Sequence, residues 1–178
     1  MSINKFKKEN IFILEVSSYQ LQYSKIFRSK HAAILNVSPD HLDRHKNINN
    51  YTKVKSKIFF GQNKSDYSYL NKSNQYSNQI KNIIKKNKIK SNLISVNKSN
   101  CNFLLKKINN NYFKGKGNLE NLSFAYSIAK KLGVSNKVII KAVNKFKPLQ
   151  HRQEIVFSKN KIICINDSKA TSFDAALQ

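Results

Sequence analysis

The sequence is short of glycine, proline, cysteine and acid. It holds four glycines, two prolines, two cysteines and nine Asp+Glu in 178 residues. With glycine only at positions 61, 115, 117 and 133, no G-x-x-x-x-G-K-[ST] phosphate loop lies within the chain. Cys101 and Cys164 stand far apart and neither has a C-x-x-C partner, which argues against a disulfide framework or a zinc site and suits a reducing cytoplasm. H-E-x-x-H and G-x-S-x-G are also missing. The longest apolar runs, such as 11–14 and 32–35, fall far short of the roughly 20 residues a membrane-spanning helix needs. The basic N-terminus, MSINKFKKEN, leads into no apolar segment with a cleavage site, so it does not read as a signal peptide. Membrane insertion is not expected.

What is present in excess is positive charge: 33 Lys+Arg give a formal net charge of +24. Such a balance raises nucleic acid or an anionic membrane surface as partners. Two details argue against this. The only arginines are Arg28, Arg44 and Arg152, whereas base readout favours the arginine fork. Lysine also travels with abundant Asn and Ile over the whole chain, and these three share A/T-rich codons, so compositional drift supplies the charge without a selected partner. Against that background the rare residues carry information. Glu15, Asp40, Asp43, Glu154 and Asp167 lie in a few short mixed-polar segments, together with His41, Arg44, His45, His151 and Arg152.

With 40% hydrophobic residues, the chain can build a core. Short apolar runs alternate with helical stretches, which predicts an α/β fold with a mostly parallel sheet flanked by helices. Strands are expected at 11–16, 32–37, 67–70 and 92–96, and helices at 18–28, 48–60 and 74–87. Segments 101–106 and 110–114 read as a hairpin across the Asn109–Asn111 turn. Asn118 is a candidate N-cap for a helix to Leu132 with Gly133 just past its end, and Ser135 caps another through Phe146. Strands follow at 153–158 and 161–166. The boundary is placed near Pro148, with 1–148 as one domain and 149–178 as the start of a second α/β domain.

Four constellations carry chemistry. Glu15 in ILEVSSYQL is an acid at the carboxyl end of an expected strand, where open α/β sheets bind ligands, with Ser17, Ser18 and Gln20 beside it. The alternative is helix capping at a positive dipole end. Segment 36–45, NVSPDHLDRH, packs two carboxylates, two imidazoles and a guanidinium into six residues, suited to a hard divalent ion and phosphate. The alternative is a solvated turn with weak ion pairs. In YTKVKSKIFF, Ile48, Val54, Ile58 and Tyr51 define the apolar face and Lys55 sits at its edge. A partly buried lysine is able to act as a nucleophile through a depressed pKa. On the residues alone, one more lysine with a buried stem is the stronger reading. Segment INDSKAT opens a helix with Asp167, Ser168 and Lys169, which suits an anion, or simple capping. HRQE, just before it, adds Arg152 for bidentate phosphate recognition.

In this order and spacing, EVSSYQL, ILNVSPDHLDRH, YTKVKSKIFF, KGNLENL, LQHRQE and INDSKATS resemble the Mur ligases over nearly all of the chain from Ile11 to Leu177. The ending NDSKAT resembles the branch that adds D-glutamate. The resemblance implies an ATP-dependent acid–amino-acid ligase of peptidoglycan precursor synthesis, monomeric and cytoplasmic. Its substrates would be UDP-N-acetylmuramoyl-L-alanine and D-glutamate, joined through an acyl phosphate, and its cofactors ATP and two Mg²⁺. It further implies that Glu15 and His41 ligate Mg²⁺ and that Lys55 does so as a carbamate. Ser17 and Gln20 would contact the UDP-sugar substrate, Asn118 and Asn121 the adenine side, Arg152 the phosphates and Asp167 the ribose. Lys169 and Thr171 would lie near the phosphates and the incoming amino acid.

Two departures from the family pattern stand out: Gly117 replaces a histidine, and the phosphate loop is missing. On that ground the chain is expected to be an internal piece, a central ATP-binding domain plus the first strands of the next, inactive alone. The competing readings are another Mur-type or folylpolyglutamate-type ligase and a basic nucleic-acid-binding module.

Overall fold

The computed structural model describes residues 10–170. In chain order the elements are α1 (Ser18–Tyr23), β1 (His31–Ile34), α2 (Leu42–His45), α3 (Ile48–Ser56), β2 (Tyr67–Asn71), α4 (Ser77–Lys86) and β3 (Asn92–Val96). They continue with α5 (Asn102–Leu105), α6 (Lys116–Lys131), α7 (Asn136–Lys145), β4 (Glu154–Lys159) and β5 (Ile162–Asn166). Strands β1, β2 and β3 pair in parallel in that order, with Ala32 opposite Ser68 and Ser68 opposite Leu93.

Side chains alternate across this sheet and both faces are covered, as parallel strands require. Ala32, Ile34 and Leu70 pack on one face against Tyr51 of α3, Phe59 and Ile80 and Ile84 of α4. Tyr69 and Val96 point the other way, onto Phe124 of α6. The expected α/β architecture therefore forms, with the sheet as its middle layer. A further cluster joins Cys101, Leu104, Ile108 and Phe113 to Leu122 of α6 and Ile139 and Val143 of α7.

Local rules explain several boundaries. The Ser135 hydroxyl accepts from the Val138 N–H and starts α7, as expected. Gly133 at φ +80° lets the chain leave α6 in the left-handed region. At the amino ends of the strands, buried Asp66 takes the Arg28 guanidinium (Nε–Oδ2 3.0 Å) and the Asn63 N–H.

Other expectations are corrected. Residues 11–16 form no strand, and Ile11, Phe12, Ile13 and Leu14 are exposed. β-Composition is not sufficient, because a strand exists only when a neighbour pairs with it. The helix expected over 18–28 stops at Tyr23. The hairpin expected over 101–114 is instead a set of short helical turns, Lys98–Cys101, α5 and Asn111–Lys114. Asn97 and Asn110 start two of these turns by accepting from the Ser99 and Tyr112 N–H groups, and their apolar residues sink against α6 and α7. The cap of α6 is Gly115, not Asn118, which lies in the first turn. The inner face of α3 is Tyr51, Thr52 and Ser56, while Val54 is only half-buried. Thr52 and Ser56 are tolerated there because their hydroxyls donate back to the Ile48 and Thr52 carbonyls.

The two strands expected over 153–166 form as β4 and β5 and pair antiparallel, joined by Asn160 and Lys161, both at positive φ. Two positive φ values make a type I′ turn, whose twist matches that of the strands.

Candidate active site

The parallel strands all run toward the same edge, and the loop after β1 carries His41 there. A pocket of about 430 Å³ opens beside it, lined by Glu15, Val16, Ser17, Ser18, Gln20, His41, Tyr51 and Lys55. Five residues singled out from the sequence, Glu15, Ser17, Gln20, His41 and Lys55, thus meet at one place although they span forty positions. Three segments supply them: the approach to α1, the loop before α2, and α3.

Each is held differently. Ser17 and Gln20 form a reciprocal capping box: the Ser17 N–H donates to Gln20 Oε1 (2.8 Å) and the Gln20 N–H to Ser17 Oγ (3.2 Å). The capping alternative for these residues is therefore real, and it commits the Gln20 oxygen to Ser17. His41 is at φ 51°, left-handed for a residue with a Cβ. Its N–H donates to Asp40 Oδ1 (2.9 Å), and its Nε2 lies 3.5 Å from Asp40 Oδ2. The ring stands edge-on to Tyr19 and Tyr51.

Lys55 projects from α3 one turn after Tyr51, donates to its hydroxyl (3.4 Å) and lies over its ring. Burial pushes the Lys55 amine below the usual lysine range, and the Asp40 charge only partly offsets this. A larger share of this amine is therefore neutral and nucleophilic near neutral pH than for an exposed lysine. Burial, with help from Asp40, raises the Tyr51 phenol, so the hydroxyl stays protonated.

The crowded segment 40–45 does not act as one unit. His45 turns inward, 4% exposed, and shares a hydrogen bond with Ser18 (Nε2–Oγ 3.0 Å). Desolvation, then His41 and Arg44, lower its pKa and favour the neutral ring. Arg44 points away, to the Tyr23 hydroxyl and Gln22, and lines a separate hollow with Lys46 and Lys53.

Among the described residues no three His, Cys, Asp or Glu side chains gather as a metal-binding group. The pocket offers two such donors, Glu15 and His41. An unmodified Lys55 carries no oxygen, but a carbamate on its Nζ would supply one beside them.

The second group of expected residues lies elsewhere. The Asn118 amide donates to the Tyr112 carbonyl (3.0 Å) and to Gln153 Oε1 (2.7 Å). The Gln153 N–H in turn donates to Asp167 Oδ1 (3.2 Å). Asn118 and Asp167 are thus joined through one residue. Asn121 lies exposed on α6, Arg152 is exposed between two residues of positive φ, His151 and Gln153, and Lys169 is exposed with its N–H on the His151 carbonyl. Thr171 lies outside the described residues. The motifs contain Gln153, Tyr51, Tyr19 and His45, but they gave Gln153 and Tyr19 no part in the site, placed Tyr51 only on the apolar face of its helix, and did not show that His45 turns inward. The one available signal was the i, i+4 spacing of Tyr51 and Lys55 on a helix.

The Mur ligase middle domain family matches residues 2–142. The UDP-N-acetylmuramoylalanine–D-glutamate ligases of Rickettsia felis and Rickettsia prowazekii are 38% and 37% identical over 94% of this chain, and 40% and 41% of their own lengths are covered. That of a Thermoanaerobacter species is 35% identical over 96% of this chain and 41% of its own. The chain thus spans about two fifths of the length of the curated relatives it matches. In fold it is similar to a crystal structure of MurF from Acinetobacter baumannii, with a TM-score of 0.59 at 15% identity over 84% of this chain and 35% of that one. A family match across most of the length, on a sheet whose carboxyl edge gathers Glu15, His41 and Lys55, leads to one conclusion: the chain belongs to the Mur ligase family.

Proposed function

We propose that this chain is the central part of a cytoplasmic, monomeric ligase that joins D-glutamate to UDP-N-acetylmuramoyl-L-alanine, with ATP as the energy source. Its γ-phosphate would activate the substrate carboxyl as an acyl phosphate, which the amine of D-glutamate attacks, releasing phosphate and leaving ADP. Residues 1–148 form the ATP-binding domain in this reading and 149–178 open the next; the family match ending at residue 142 supports the division. The observation that carries the proposal is the convergence of Glu15, His41 and Lys55 with Ser17 and Gln20 on one pocket.

In that pocket Glu15, His41 and the carbamate of Lys55 would hold Mg²⁺. Bound there, the ion would neutralise charge on the transferring phosphoryl group. The chain's own contribution is positioning. Tyr51 holds the Lys55 amine, and burial keeps it ready to add to CO₂, losing a proton and exchanging a positive charge for a negative oxygen ligand. Tyr19 and Tyr51 fix the plane of His41. With its oxygen committed to Ser17, Gln20 has its amide N–H group left for the UDP-sugar substrate, together with Ser17. Asn118 and Asn121 would face the adenine, Asp167 the ribose and Arg152 the phosphates. Lys169 and Thr171 would lie near the phosphates and the amino acid.

The test is incorporation of labelled D-glutamate into UDP-N-acetylmuramoyl-L-alanine by the polypeptide carrying this sequence. We expect one ADP released per bond formed. Incorporation of another amino acid instead would assign the chain to a sibling ligase. Salt-sensitive DNA binding without any incorporation would overturn the proposal.

A further inference from the structure

The hollow that Arg44 enters has a volume of about 350 Å³. Three cations, Arg44, Lys46 and Lys53, line it and no acid does; Asp43 lies outside the lining. In a chain this rich in lysine, surface cations alone say little. Two features separate this hollow from that background.

The first is how Arg44, one of only three arginines, is held. Its Nε donates to Gln22 Oε1 (3.4 Å), an Nη2 proton goes to the Tyr23 hydroxyl, and the guanidinium lies over the Tyr23 ring. All these partners are neutral. They fix the side chain and leave its charge uncompensated, since among the described residues no carboxylate pairs with Arg44, Lys46 or Lys53. Most donors of the guanidinium fork stay free to grip an oxyanion.

The second is His45. It is 4% exposed, its Nε2 is engaged with Ser18 Oγ at 3.0 Å, and its Nδ1 has no hydrogen-bond partner among the described residues. Nδ1 is not sealed in protein either: among the described residues Ser29 Oγ is the one fully buried side-chain polar atom without a partner. His45 lines the hollow and not the reaction pocket, whereas Ser18 lines the pocket and not the hollow. The open nitrogen is therefore reached from the side of the cations. A polar atom left open on a nearly buried side chain calls for a partner.

We propose that this hollow binds a phosphate group, gripped by the Arg44 fork, balanced by Lys46 and Lys53, and hydrogen-bonded by His45 Nδ1–H. A dianion with several oxygens matches three cations and an imidazole better than a carboxylate does. The volume exceeds what a bare ion needs, so the phosphate is either free or carried by a small monoester. The site does not depend on the chemistry assigned to the pocket, yet its occupant is felt there. Without the anion, the cations favour a bare Nδ1, and the Nε2 proton goes to Ser18. With Nδ1 donating to phosphate, Nε2 of the neutral ring accepts, and the Ser18 hydroxyl turns its proton away from the pocket.

The test titrates inorganic phosphate and, separately, glucose 6-phosphate onto the full chain at constant ionic strength. Calorimetry reads affinity, and ¹⁵N NMR of the histidine rings reads the His45 tautomer. One phosphate per chain should bind, with the His45 proton moving from Nε2 to Nδ1. Arg44→Lys keeps the charge and loses the fork, and should weaken binding about tenfold. Lys53→Gln should cost about threefold. Lys85→Gln, on the exposed side of α4, removes the same charge and should cost nothing. Equal losses for Lys53→Gln and Lys85→Gln would mean that overall charge alone attracts phosphate, and the site would fall. Binding without a change at His45, or no saturable binding to the unaltered chain, would overturn it as well. Tighter binding of glucose 6-phosphate would identify the ligand as a monoester, and tighter binding of phosphate as the free ion.

Discussion

The pocket half of the molecule and the hairpin that follows α7 are built on opposite principles. Around the pocket, residues far apart in sequence meet because a parallel sheet and its helices bury a shared core: Phe59, Leu70 and Ile80 are each at most 1% exposed. The β4–β5 pair closes locally through a two-residue turn, and Ile155, Val156, Phe157, Ile162, Ile163 and Ile165 all remain exposed. Long-range packing makes a place where chemistry converges. Among the described residues, the locally paired strands keep their side chains uncovered. Segment 11–16, as apolar as β5, is not a strand in the described structure.

Changes aimed at the pocket half should have the largest effects. In labelled bicarbonate, Lys55 should give a single carbamate ¹³C resonance, and Lys55→Gln should remove it completely. Carbamate forms from the neutral amine, and burial lowers the Lys55 pKa, so the signal should strengthen as pH rises from about 7 to 9 and fade toward pH 6. A spectrum unaltered in Lys55→Gln would dismiss the modification. The core beneath it should be nearly as unforgiving. Phe59→Ala removes a ring that is 0% exposed and should cost about 3–5 kcal/mol by denaturant unfolding. Phe157→Ala, on the hairpin, should cost no more than about 0.5 kcal/mol. Equal costs would erase the distinction between the two halves.

A smaller effect, and one that depends on pH, belongs to Asp66. Burial alone would raise its carboxyl pKa, but the Arg28 hydrogen bond and charge and the Asn63 N–H outweigh that and hold it below the usual range. A carboxyl depressed on folding contributes stability that is fully present above its unfolded pKa, about 3.9, and lost as pH falls through the folded value. The Tm gap between the protein and Asp66→Asn should therefore be constant from about pH 5 to 8 and close below about pH 4. A gap that widens in acid would reverse the assignment.

How much of this was legible in the sequence depended on how local the cause was. Strand 92–96, the Ser135 cap and the Gly133 terminus were readable because a few adjacent residues decide each. The α/β layering was readable from the order of apolar runs. Segment 101–114 was not, because Cys101, Leu104 and Phe113 answer to α6 and α7 rather than to each other. In the site, the resemblance to the Mur ligases brought Glu15, His41 and Lys55 together as candidates, but not which way each faces. Glu15 was expected at a strand end and lies in unpaired chain, and Arg44 and His45 leave the pocket that His41 enters. The bridge from Asn118 through Gln153 to Asp167 was not legible either, since it exists only once the fold brings those residues to either side of Gln153.

The finest probe of the contrast is the hairpin turn itself. A type I′ turn asks for positive φ at both central positions, which Asn tolerates at 160 and Lys does not favour at 161, where φ is 64°. Lys161→Gly would relieve that conformation, and the greater freedom of glycine in the unfolded chain would cancel part of the gain. The net expectation is a hairpin about 0.5 kcal/mol more stable, seen as slower hydrogen exchange of the β4 and β5 amides. Because the pair closes locally, exchange at β2 and Phe59 should not change. Slower exchange there as well would mean that hairpin and sheet unfold as one unit, and the opposition between local and long-range construction would fail at its most sensitive point.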